Sequence, residues 1–140
     1  MSPPSFLPTL LDTDALSEIF KQKNANVVQR AAAYLQLYRQ FSFSAFSFYE
    51  ILRGLKATRA TKQLQKFDVF CRHNIVLPVT QPILDRAADL WALGKSGGHP
   101  NRDADLLIAA TALEHKLVLA TGNTSHFSWI PNLAIEDWRQ

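Results

Sequence analysis

Asp103-Ala-Asp-Leu-Leu-Ile-Ala-Ala-Thr-Ala-Leu-Glu-His-Lys116 runs directly into Leu117-Val-Leu-Ala120, and then into Thr121-Gly-Asn123. The first segment is apolar almost all round, which predicts a helix buried on every side. The second is a short, wholly apolar run that reads as a buried strand. A buried helix feeding a buried strand is half of a βαβ unit, and the rest of the chain repeats the alternation. Upstream, Thr9-Leu-Leu11 reads as a strand, Ala15 to Lys23 and Asn26 to Gln40 as helices, and Phe41-Ser-Phe-Ser44 as a strand of period two. From Ser47, Phe48, Ile51, Leu52 and Leu55 recur at helical spacing, and helical character returns over 61–72. Asn74 to Val79 is the next strand. Gln81 to Leu93 reads as a helix ended by Gly94, residues 95–101 and 121–128 as loops, and Leu133-Ala-Ile135 as a last strand. The fold class is α/β, with a mostly parallel sheet sandwiched by helices in one domain spanning 1–140.

Composition agrees. A hydrophobic fraction of 47% over 140 residues supports one core and excludes a disordered chain. The single cysteine, Cys71, excludes a disulfide framework and a cysteine-rich zinc site, which fits a cytoplasmic protein. No apolar run reaches the ~20 residues of a membrane helix, and Met1 to Thr9 lacks the basic start of a leader peptide. Charge is unevenly placed: −3 over residues 1–20, +8 over 21–72 and −2 over 73–140. A basic middle beside acidic ends suggests a polyanion-facing surface next to a carboxylate cluster, or else a solvated helical face.

In open parallel sheets, ligands bind outside the carboxyl ends of the strands, and several acids fall there. Asp12 ends the first strand and Asp14 follows it; Glu50 lies in the helix after the second; Asp103 and Asp105 open the helix before the fourth; Thr121 and Asn123 follow that strand. Carboxylates sharing a rim repel one another. A hard divalent cation, Mg²⁺ or Mn²⁺, relieves that repulsion and equips the site for phosphodiester hydrolysis. Structural roles compete: Asp14 or Asp103 as helix caps, and Ser47 with Glu50 as a capping box. The helix dipole alone favours Asp105 in a first turn. Asp12, ending a buried strand, needs a partner. The four histidines share no ligand spacing and read as surface or loop residues; Cys71 reads as a bystander, and the Phe41–Phe48 stretch as core.

Arg53, Lys56, Arg59, Lys62 and Lys66 recur at spacings of three, three, three and four. They form one stripe if the helix is continuous, or two flanking groups if it breaks near Thr58–Thr61. Beginning one turn from Glu50, they are candidate contacts to a phosphate backbone, or ordinary solvated surface.

The motifs Thr9-Leu-Leu-Asp-Thr-Asp-Ala-Leu-Ser-Glu18, Phe43-Ser-Ala-Phe-Ser-Phe-Tyr-Glu-Ile-Leu-Arg-Gly54 and Asp103-Ala-Asp-Leu-Leu-Ile-Ala-Ala-Thr-Ala112 resemble three PIN-domain motifs in order. Leu117 to Phe127 and the terminal Leu133-Ala-Ile-Glu-Asp-Trp138 resemble the end of VapC-type toxins. The resemblance implies a PIN fold and an endoribonuclease that is the toxin of a type II toxin–antitoxin pair. It also implies Mg²⁺ or Mn²⁺, a homodimer and a cognate antitoxin. By carry-over, Asp12 and Asp105 hold the metal and Glu50 completes the acidic set. Two positions depart from the pattern. Asp14 stands where the family usually has Asn, and Asn123 stands at the fourth acidic position, with Asp103 near enough in sequence to compensate. Asp12-Thr-Asp also resembles haloacid-dehalogenase-like phosphatases, with Asp12 as nucleophile. A non-catalytic PIN-like nucleic-acid-binding module is the third reading.

Overall fold

In the computed structural model, which describes residues 6–99 and 101–140, five short strands form one parallel sheet. The leader-peptide reading of the N-terminus rests mostly on residues outside that range. The strands are β1 (Thr9–Leu11), β2 (Ser42–Ser44), β3 (Ile75–Leu77), β4 (Val118–Ala120) and β5 (Ile135–Glu136), in the order β3-β2-β1-β4-β5. The helices are α1 (Thr13–Lys21), α2 (Ala25–Tyr38), α3 (Ala45–Ala57), α4 (Thr61–Arg72), α5 (Gln81–Gly97), α6 (Asp103–Glu114) and α7 (Thr124–Phe127). Among the described residues, no helix is long and apolar enough to cross a membrane.

β1 explains why so short a strand can organise the sheet. Leu10 and Leu11 are both fully buried, as a central strand covered on two faces requires. Because successive side chains alternate, the two leucines serve different cores. Leu10 and Leu119 join Ile83, Leu90, Leu106, Ile108 and Phe127 from α5, α6 and α7. Leu11, Phe43 and Ala120 join Leu16, Ile19, Val27 and Tyr34 from α1 and α2, closed by Trp138. Helix α6 is buried along Leu106 and from Ile108 through Ala112, which is why its sequence shows no polar face.

The register also locates the site. Leu11 pairs with Phe43 on one side and Ala120 on the other. The chain leaves β1 toward β2 on one side, and β4 enters on the other, so the strand order switches between β1 and β4. A crevice outside the carboxyl ends at such a point is the expected ligand position.

The structure departs from the sequence reading at three boundaries. Helix α3 begins at Ala45, because the Ser44 hydroxyl caps it by accepting from Phe46 N at 3.0 Å. Ser47 and Glu50 therefore lie inside the helix and form no capping box. Helix α5 continues through Gly94 and ends at Gly98, whose φ of 69° is the left-handed conformation a C-cap glycine supplies. Gly94 is a packing residue: a Cβ there would lie 2.9 Å from the Trp129 ring. Gly94→Val is expected to cost about 1–3 kcal/mol by overpacking, read as a lowered denaturant midpoint. Finally, residues 124–127 of the expected loop form the one-turn helix α7.

Candidate active site

Asp12 follows the last residue of β1, and its backbone N–H still bonds to Ala120 O at 3.0 Å. Its side chain turns to cap α1, with Oδ1 accepting from Ala15 N at 2.7 Å. The cap of α1 is thus Asp12, not Asp14. Asp12 is 4% exposed, and burial pushes its carboxyl up to about 6. The Thr121 hydroxyl and the Ala15 N–H pull the other way, while the negative charges of Asp14 and Asp105 push further up.

Asp105 reaches the same crevice from the opposite direction. Helix α6 runs back against the strands, so its first turn stands at their carboxyl ends and carries Asp103 and Asp105. The side chain of Asp105 is also raised by burial, opposed by His126 and Arg102 and reinforced by Glu50. Its Oδ2 is buried and has no hydrogen bond of good geometry, although His126 Nδ1 lies 3.2 Å away. Asp103 is exposed and does not join this crevice. It borders a shallow apolar cleft with Leu84, Trp91 and Leu107. It neither caps α6, where Arg102 holds the N-cap position without a side-chain bond, nor lines the acidic site. One residue along a helix turns a side chain by about 100°; Asp105 is two positions on from Asp103, so the pair faces different neighbours.

Glu50 enters from the second turn of α3. Its Oε1 accepts from the Thr13 hydroxyl at 2.6 Å, and that hydroxyl lies 3.0 Å from Ser47 Oγ. Ser47 and Glu50, three apart, share the helix face that meets α1. On the outer side Arg53 Nη2 lies 3.7 Å from Glu50 Oε2, with its guanidinium over the Tyr49 ring. Asp12, Asp14, Glu50 and Asp105 line one small polar crevice of about 160 Å³ with Thr13, Arg102, Asn123 and His126.

The loop after β4 supports this group. Thr121 is buried beside Asp12, and its Oγ1 accepts from Asn123 N at 2.9 Å. The Asn123 amide in turn donates to the Asp14 carboxylate. Asp14 is thus an exposed, amide-bound carboxylate at the lip, and Asn123 serves as its donor. Arg139 brackets the loop from the C-terminal side, donating to Gly122 O at 2.8 Å and to Asp137.

The sequence reading takes Ser47 for a capping residue and His126 for a surface or loop histidine, and singles out neither Thr13 nor Arg102. The Ser47/Glu50 spacing carried a usable signal, since residues three apart face one way. Thr13, Arg102 and His126 carried none, because their roles depend on how helices pack.

The basic stripe is divided. Helix α3 ends at Ala57, Arg59 takes a left-handed φ of 52°, and α4 begins at Thr61. All five side chains are exposed. Arg53 neighbours the acids. Lys66 instead borders a groove with Phe20, Val28, Leu35, Val69 and Phe70.

Among the described residues, no three His, Cys, Asp or Glu side chains are arranged to hold a metal ion by protein ligands alone. A hard cation that keeps several waters needs only one or two carboxylates. The buried pair Asp12 and Asp105 fits that requirement: both prefer to shed charge, and Asp105 Oδ2 is an unfilled buried acceptor.

Comparison with known proteins places the geometry in context. Residues 9–131 match the family model of the PIN domain. A VapC ribonuclease of Sinorhizobium fredii is 32% identical over 125 residues, covering 84% of this chain and 89% of its own. The DNA-bound VapBC structure from Salmonella typhimurium superposes with a TM-score of 0.83 at 25% identity, covering 94% of this chain and 98% of that one. The FitAcB structure from Neisseria gonorrhoeae superposes with a TM-score of 0.72 at 27% identity, covering 93% and 97%.

Proposed function

The chain belongs to the PIN-domain family, and from that premise we propose that it is a Mg²⁺- or Mn²⁺-dependent endoribonuclease acting as the toxin of a toxin–antitoxin pair. The observation that carries the reading is the crevice at the switch point between β1 and β4. There two burial-raised carboxylates, Asp12 and Asp105, face one space, and one of their oxygens has no hydrogen bond.

Asp12 and Asp105 would hold the cation. Bound there, it supplies acidity to a water molecule and neutralises charge on a phosphodiester. The remaining residues do the positioning. Glu50, its rotamer set by Thr13, faces the crevice with one oxygen available to orient the attacking water. Asn123 holds Asp14 at the lip, and Thr121 steadies the loop beside Asp12. Arg53 stands at the exposed side of Glu50, where an RNA backbone would approach. The phosphatase alternative is displaced by the family match over 9–131. The geometry opposes it as well: Asp12 is tied to Ala15 N and Asp14 to Asn123, so the two do not work as a nucleophile–acid pair. The non-catalytic alternative has no support in a crevice that keeps all three of Asp12, Glu50 and Asp105.

Two apolar surfaces suit protein partners. The groove lined by Phe20, Val28, Leu35, Val69 and Phe70 would take an apolar antitoxin segment. Helix α5 exposes Leu84 and Trp91, seven apart on one face, a face suited to a second copy in a homodimer. These partners and an RNA substrate fit a cytoplasmic protein with a free cysteine.

Incubation with total RNA in Mg²⁺ should produce discrete cuts that EDTA abolishes, mapped by sequencing the new ends. The wild-type chain alone should arrest growth, and a small protein encoded beside it should relieve the arrest. Intact RNA after exposure to folded, Mg²⁺-treated protein would refute the nuclease reading. For the basic residues, Arg53→Ala should lower the slope of log affinity against log salt by about one, measured on an inactive Asp12→Asn background. Lys66→Ala should leave the slope unchanged, because Lys66 borders the apolar groove and not the acidic crevice. Lys56, Arg59 and Lys62 fall between, and the same measurement sorts them.

A further inference from the structure

We propose that His126 is a positioning residue that orients Asp105 for a divalent cation, an inference that rests on the metal-centre reading above. His126 lies on α7, a helix of four residues that cannot hold its own shape, yet it is pinned at both ends. Its N–H donates to Asn123 O at 3.0 Å, and its carbonyl accepts from Trp129 Nε1 at 2.9 Å. Phe127, fully buried, roots the helix in the core between those two bonds. Trp129 is itself fixed, stacked on His99 with planes 3° apart and seated against Gly94. The imidazole is therefore presented by a rigid backbone. Its Nδ1 lies 3.2 Å from Asp105 Oδ2, and both side chains are mostly buried, 32% and 17% exposed.

This placement restrains one carboxylate of the pair without consuming its acceptor capacity. A carboxylate oxygen has two lone pairs, so Nδ1, at 3.2 Å and within reach of donating though off-line here, engages at most one of them. Near neighbours that donate to a ligand's carboxylate fix its rotamer, and losing one typically weakens metal affinity 10–100-fold. Arg102, which also lowers the Asp105 carboxyl, has its carbonyl bonded by Leu106 N at 3.1 Å, but its long side chain is exposed and makes no cap bond. His126 combines a short approach to Asp105 with a pinned backbone and a mostly buried ring.

The test is Mn²⁺ affinity of the full chain, by titration calorimetry and by the electron paramagnetic resonance signal of free Mn²⁺. His126→Ala should weaken Mn²⁺ binding about 10–100-fold. His126→Asn, which keeps an N–H donor at the δ position, should recover most of the loss. Circular dichroism and RNA affinity of the metal-free proteins should be unchanged in both, which a merely structural role would not predict. Equal Mn²⁺ affinity in wild type and His126→Ala overturns the positioning role while leaving the metal centre standing. Absence of Mn²⁺ binding in the wild type overturns the metal centre and this inference with it. Equal losses in His126→Ala and His126→Asn also overturn it, since the donor would then be irrelevant.

Discussion

Asp12→Asn is expected to abolish RNA cleavage and, in the metal-free protein, to raise stability. Loss of a metal ligand removes several kcal/mol of transition-state stabilisation, a factor on the order of 10³ or more. The stability gain follows from burial. The Asp12 carboxyl sits at about 6 in the folded protein against an ordinary 3.8. Between those pH values the folded state holds the proton that the unfolded state has released. Stability therefore falls as pH rises from about 4 to 6, and the deficit persists at neutral pH, on the order of 2–3 kcal/mol. Asparagine cannot ionise, and it caps a helix as well as aspartate does, so the bond from Ala15 N survives. The variant should melt roughly 5 °C or more above wild type at pH 7.5 without metal. The difference should shrink as pH falls from about 6 toward 4 and vanish below about pH 3, where the wild-type carboxyl is protonated in both states. Asp105, also raised by burial, keeps some pH dependence in the variant. Added Mg²⁺ should reverse the order by stabilising only the wild type, by about 2.7 kcal/mol at a hundred times its dissociation constant. A variant that melts below wild type at pH 7.5 in EDTA would mean that Asp12 is not held under electrostatic strain.

That result would define which parts of the protein the sequence exposes to reading. Elements were legible where burial is two-sided: Leu10 and Leu11 in β1, and the apolar length of α6, have no polar alternation to misread. Asp12 and Asp105 were legible because chain order alone puts a strand end and a helix start on one rim. Boundaries failed where one residue serves two elements. Ser44 fits the period-two pattern of β2 and is also the cap of α3, so the sequence places the cap three residues late, at Ser47. Gly94 reads as a stop, but the pressure for glycine comes from Trp129, thirty-five positions away in sequence. Helix α7 is shorter than two turns, and no periodicity can declare it. The same limit hid His126, whose contact with Asp105 exists only once α7 docks beside α6. Asp103 was overrated for the opposite reason: proximity in sequence to Asp105 does not give a shared face on a helix.

Thr13 is the residue through which α1 and α3 agree on the position of Glu50, and Thr13→Val should expose that role. The substitution keeps the shape and the β-branch and removes only the hydroxyl. Glu50 Oε1 then loses a 2.6 Å bond from a neutral donor to a charged acceptor. Such bonds contribute about 1.5–3 kcal/mol, and more is lost when the abandoned acceptor is buried. The Glu50 side chain is 19% exposed, so water only partly replaces the lost donor and the stability loss should be about 1.5–3 kcal/mol. The effect on cleavage should be at least comparable to the effect on folding. A carboxylate displaced by about 1 Å from the productive geometry costs on the order of 10²-fold in rate. The loss should fall on kcat, with RNA affinity unchanged, because Thr13 lies beneath Glu50 and away from the exposed Arg53 side. Thr13→Ser, which retains the hydroxyl, should keep most of the rate. A double-mutant cycle with Glu50→Gln separates coupling from general damage: the two losses should be far from additive, because both act through one carboxylate. Additive losses would show that Thr13 supports α1 alone, and that Glu50 is oriented by Ser47 or Arg53 instead.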